Sequence, residues 1–176
     1  MRSKRIIRTL GLATVLAGCG SESPNEVVSP APEASLTTGS SGSAASGHAT
    51  LTQAPGIFRT FSFHGREQPD GSVHGTYVNH NRFGDVVNHG DIDCLRLIGT
   101  NEAVLSGPTR KHTVPENVGV ISLFRVEDNG DGANDPPDRI TGLFGFPPTT
   151  GVTCETFTPP AELLRPIEGG NIQVMP

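Results

Sequence analysis

From Gly47 onward, apolar and polar residues alternate with a period of two in short stretches, the spacing of a strand with one buried face. Phe61 and Phe63 fall on one face of such a stretch, while Thr60, Ser62 and His64 take the other. Further β-type runs cover 49–53, 57–65, 72–79, 86–98, 103–110, 119–127, 139–146 and 171–174. Between them lie turn-forming clusters such as Ala54-Pro55-Gly56, Pro69-Asp70-Gly71, Gly99-Thr100-Asn101 and Asp128-Asn129-Gly130-Asp131-Gly132. No stretch holds a 3.6-residue apolar period, and 160–164 has room for one helical turn at most. The pattern predicts an all-β domain over 47–176, a single antiparallel β-sandwich or barrel of about eight short strands.

Upstream of Gly47 the alternation stops. Residues 20–46 are mostly Ser, Ala, Thr, Gly, Pro and Glu, too polar to bury a core, and are expected to form a disordered tether. A coil of that length reaches about 30 Å on average. Ahead of it, Arg2, Lys4, Arg5 and Arg8 precede a short apolar run, 10–16, that ends in Leu16-Ala17-Gly18-Cys19. The run is far below the roughly 20 residues that span a bilayer, so 1–18 reads as a cleaved signal. Leu16-Ala17-Gly18-Cys19 resembles the lipobox of bacterial lipoproteins. That resemblance implies a diacylglyceryl anchor on Cys19, a membrane partner reached through the N-terminal lipid, and an exported protein held at the bacterial cell membrane or envelope. Two acyl chains hold firmly where one binds only marginally.

Removing 1–18 leaves nine Lys and Arg against 18 Asp and Glu, a formal charge of −9 where the whole chain carries −5. So acidic a chain offers no footprint to phosphate backbones, and nucleic acid is not expected as a partner. With Cys19 spent on lipid, Cys94 and Cys154 remain in an oxidising compartment, where two thiols most simply form one disulfide. Eight Phe, one Tyr and no Trp point to aromatic core rather than to the flat platforms that grip sugars.

Several motifs carry a second resemblance. Gly47-His48, Phe61-Ser62-Phe63 with Pro69-Asp70-Gly71, Val126-Glu127-Asp128-Asn129-Gly130, Pro136-Pro137-Asp138-Arg139-Ile140 and the closing stretch from Ile167 to Val174 resemble a family of small exported bacterial β-domains, the post-COAP domains. The resemblance covers nearly all of 47–176 and implies the domain boundary and the β fold; it implies no activity.

Three groups of residues have the elements of chemistry. His89, Asp91 and Asp93 share one strand parity, with Ile92 and Cys94 on the other, and an imidazole with two carboxylates suits a divalent cation or acid–base work. A solvated strand face gives the same alternation. His64, His74 and His80 lie in neighbouring runs, without the spacing of a zinc motif. Asp128, Asp131 and Asp135 crowd a loop rich in oxygen ligands for Ca²⁺, but glycines hold the third and fifth places, so a turn is expected and no cofactor is required. No nucleophile motif or phosphate loop occurs in the folded region. The expectation is a binding or structural module of the envelope; a small metal-dependent or carboxylate-based hydrolase and a Ca²⁺-stabilised adhesion module are the alternatives.

Overall fold

The computed structural model describes residues 42–132 and 134–176; the expected signal over 1–18, Cys19 and most of the expected tether lie outside the described residues. The domain is all-β and antiparallel. Its strands are β1 (Ala44–Ala54), β2 (Ile57–Glu67), β3 (Val73–Asn81), β4 (Val86–Ile92), β5 (Cys94–Ile98), β6 (Glu102–His112), β7 (Ile121–Glu127), β8 (Arg139–Ile140), β9 (Phe144–Phe146), β10 (Arg165–Pro166) and β11 (Gly169–Met175). They join in the order β10-β8-β7-β6-β4-β3-β2-β1-β11, with β5 beside β6 and β9 beside β7, and the sheet curls into a half-barrel. The two ends of that order, β10 and β11, are separated in sequence only by Ile167 and Glu168. One stretch of chain thus meets both edges of the sheet.

The expected alternation builds the core. Phe61 and Phe63 point inward and meet Phe124 at ring-centroid distances of 4.8 and 5.3 Å, with Tyr77 6.0 Å from Phe124. Tilted and edge-on rings of this kind stabilise by about 0.5–1.5 kcal/mol beyond their buried area. Leu51, Ile92, Leu105, Val126, Ile140 and Ile172 complete the inner cluster.

A second, smaller cluster covers the outer face of β5–β7. Val104, Leu123 and Cys154 are buried there, under Val152 and Phe157 of the segment that follows β9. That segment is strapped down by the Cys94–Cys154 disulfide, whose Cα atoms lie 5.8 Å apart. Arg96 Nε donates to the Cys154 carbonyl at 2.7 Å, and Arg125 Nη1 donates to Pro159 at 3.0 Å. Arg125 is nearly buried and paired with Glu102, so its charge is compensated where it crosses the strap.

The half-barrel does not close by strand pairing alone. Asp138, buried at 4 % exposure, accepts the Asn129 N–H at 2.8 Å and the Ile172 N–H at 2.7 Å, while its carbonyl accepts Ile167 at 2.9 Å. Asp128 accepts the N–H groups of Gly130 and Val174, each at 2.9 Å. The two carboxylates therefore satisfy two outward N–H groups of β11, those of Ile172 and Val174, as a neighbouring strand would. Gly170, at φ 105°, lets β11 cross onto β1: a Cβ there would stand 1.9 Å from the His48 carbonyl.

Three expectations change. The run 86–98 is two strands, because Asp93 interrupts it and reverses the parity. Ile92 faces the inner cluster and Cys94 the outer one, not a shared face. The run 139–146 splits into β8 and β9, since at Thr141 the side-chain hydroxyl and not a backbone carbonyl accepts the Arg125 N–H, which ends the ladder of β8 on β7. The first strand begins at Ala44, inside the expected tether, because Ala45 is small enough to be wholly buried opposite Val174 and Gly65.

The disulfide joins residues 60 apart, for which the chain-entropy account gives about 4 kcal/mol. Replacing both cysteines with serine is expected to cost 2–5 kcal/mol, read as a lower denaturation midpoint. Asp138→Asn keeps one acceptor and sets an amide NH₂ against a backbone N–H, and is expected to cost on the order of 2–3 kcal/mol in the same measurement.

Candidate functional site

At one end of the half-barrel the inward positions turn polar. Arg59 continues the inner parity of Phe61 and Phe63, Asn79 that of Tyr77, and Asn88 lies opposite Asn79 across β3 and β4. On β6 a bulge does the positioning. Gly90 pairs with Thr109 and His89 with Lys111, so Arg110 is the extra residue. Without it, strict alternation from Thr109 would aim Lys111 inward and His112 outward; with it, Thr109 and His112 both face the interior.

These residues form a network. The Tyr77 hydroxyl donates to Asn88 Oδ1 at 3.0 Å and lies 2.9 Å from the Thr109 hydroxyl, which is 3.0 Å from Ser122. Burial pushes the Tyr77 phenol up from its ordinary value, so it stays protonated and able to donate. Gly90 makes room for that ring, since a Cβ there would meet Tyr77 Cε1 at 2.3 Å. Above this floor, Arg59 Nη1 donates to Asn79 Oδ1 at 3.0 Å. Burial lowers the Arg59 pKa from its ordinary value. The Arg59 Nε and Asn79 Nδ2 donors are covered, yet neither has an acceptor among the described residues. The Arg59 contact fixes which way the Asn79 amide faces, because flipping it would set NH₂ against guanidinium.

Arg59, Asn79, Asn88, Thr109, His112 and Ser122 line a cavity of about 230 Å³, walled also by Asn81, Val86, Asn117, Val120 and Leu143. Four of the six large apolar side chains that are exposed among the described residues, Phe58, Phe83, Val114 and Val118, belong to strand ends and loops at this mouth. The arrangement can hold a ligand by hydrogen bonds at its floor and apolar contact at its walls.

The residues singled out in the sequence lie elsewhere. His89 and Asp91 face outward on β4, and Arg110 grips Asp91 through Nε and Nη2. Asp91 and Asp93 border a shallow outer groove of about 680 Å³ with His64, His74, Arg66 and Arg110; His89 is not part of it. His64 bonds Thr76, and His80 pairs with Asp85 at 2.6 Å. Asp128 and Asp135 spend oxygens on backbone N–H groups, Asp135 on Gly132 at 2.7 Å, while Asp131 is exposed. Among the described residues, the one set of three or more metal-ligating side chains with mutually close donor atoms is Cys94, Cys154 and Glu155, and its sulfurs are joined in the disulfide.

The mouth was missed by motif. Its signal was available in the parity: Arg59 and Asn79 occupy positions that the neighbouring Phe61, Phe63 and Tyr77 mark as core. No family model, curated protein or solved structure matches the chain.

The Asp93 carboxyl, on an exposed residue, has a raised pKa, chiefly through partial desolvation and then through the like charge of Asp91. The folded state thus penalises its ionised form at neutral pH. The penalty fades as pH falls through the raised pKa and is gone below the ordinary value of 3.8. Asp93→Asn is therefore expected to raise the melting temperature at pH 7 and to leave it unchanged near pH 3.

Proposed function

We propose that this chain is an exported, lipid-anchored envelope protein whose β-domain is a binding module, with the barrel mouth as its binding site. The observation that carries the reading is one small cavity lined by Arg59 and Asn79, two side chains that each keep a covered donor, Nε and Nδ2, without an acceptor among the described residues. Buried polar groups are paired in native proteins with few exceptions, and an exception in a concave site calls for a partner. Support for the placement comes from the sequence: a basic and then apolar leader, Leu16-Ala17-Gly18-Cys19, a polar tether, and the resemblance to small exported bacterial β-domains.

Two measurements test it. The wild type is expected in the membrane fraction with a lipid mass on Cys19, and Cys19→Ser in the soluble or unprocessed fraction; a wholly soluble wild type without that mass overturns the anchor. In a fragment screen of the domain followed by amide chemical shifts, perturbations are expected to gather at Asn79, Asn88, His112 and Asn117. Perturbations confined to the outer groove, or none at all, overturn the mouth as the site.

A further inference from the structure

The mouth offers donors of one sign and no opposing charge. We propose that it takes a small organic carboxylate, whose charged group meets Arg59 and Asn79 while its apolar body lies against Val120 and Leu143. This rests on the reading of the mouth as a binding site and adds the class of ligand.

Four observations carry the class. Of the arginines that are not exposed among the described residues, Arg96, Arg125 and Arg139 each pair with a Glu, whereas no carboxylate lies within ion-pair reach of Arg59. No acidic side chain lines the cavity, although the chain as a whole is acidic, so an anion meets no like charge at its walls. Arg59 and Asn79 line the cavity, the groups without partners on them are both donors, and an ionised carboxylate is acceptor-only. Size and wall chemistry supply the rest. A cavity of about 230 Å³ lies below the roughly 300–1,000 Å³ of drug-sized sites, which suits a headgroup on a short body. Val86, Val120 and Leu143 give that body apolar contact, which a bare phosphate could not use.

The test titrates the domain with butyrate, its neutral isostere butyramide, and inorganic phosphate at matched ionic strength. The readouts are the Arg59 Nε–H resonance and the melting temperature. Butyrate is expected to shift both, with butyramide and phosphate at least tenfold weaker. Arg59→Gln should weaken butyrate at least tenfold. Asn79→Asp should do the same while keeping or raising the melting temperature, because the new carboxylate occupies the position facing Arg59. If the aspartate variant fails to fold, Arg59→Gln alone decides. Equal binding of butyramide at the mouth overturns the anionic class and leaves the mouth as a site. Equal binding of phosphate overturns the apolar body. Undiminished butyrate binding by Arg59→Gln overturns the role of the guanidinium, and no response to any probe overturns the carboxylate along with the site.

Discussion

A curled antiparallel sheet that stops short of full closure leaves the N–H groups of its last strand facing outward, and in this domain two aspartates receive them. Asp138 and Asp128 bond Ile172 and Val174, residues 34 and 46 positions further along the chain. Each aspartate also holds the loop that carries it, through Asn129 and Gly130. Because β10 lies on β8 and β11 lies on β1, this seam fixes the curvature of the whole sheet. The curvature in turn brings Phe61, Phe63 and Phe124 together, and leaves the cavity beside them. The outward N–H groups of Ile172 and Val174, which would otherwise invite another chain, are satisfied internally.

The interior changes character along its length. Its middle is filled by aromatic rings, whereas toward the mouth the inward side chains shorten to Asn88, Thr109 and Ser122, which satisfy one another. A polar network is tolerable in a core only when its members are paired, and this one is paired except at its outermost layer. The rigid floor and the unpaired layer above it are two parts of one gradient. On the far side of β6 and β7, the disulfide-held strap removes the remaining face from water, so both faces of those strands are buried and the wall carrying Thr109 and Ser122 is held from behind.

What could be read in advance depended on how local each determinant was. Phe61 and Phe63 announce their face because alternation acts between neighbours two apart. The Cys94–Cys154 pair is legible only together with the expectation that Cys19 carries lipid, since three cysteines allow three pairings. The bulge at Arg110 has no mark in Pro108-Thr109-Arg110-Lys111-His112; it exists because Gly90 and His89 on another strand set the register. Asp128 and Asp135 resembled cation ligands since a carboxylate looks the same whether it awaits a metal or a backbone N–H. The N–H groups that claim Asp128 include one on β11, far along the chain. Asp93 has the sequence signature of a continuous strand because nothing near it in sequence shows that β5 leaves β4 there.

The register of β1 gives the domain a mechanical direction. The described chain enters β1 at Ala44, opposite Arg66, while the mouth lies at the Arg59 end of the same hairpin. At about 3.3 Å per residue those ends are some 23 Å apart along the strand. A load applied at Ala44 and opposed at the mouth therefore runs along the strands, not across them. β1 is bonded on both sides, to β2 and to β11, so such a load strains two ladders in shear at once and cannot unzip them one bond at a time.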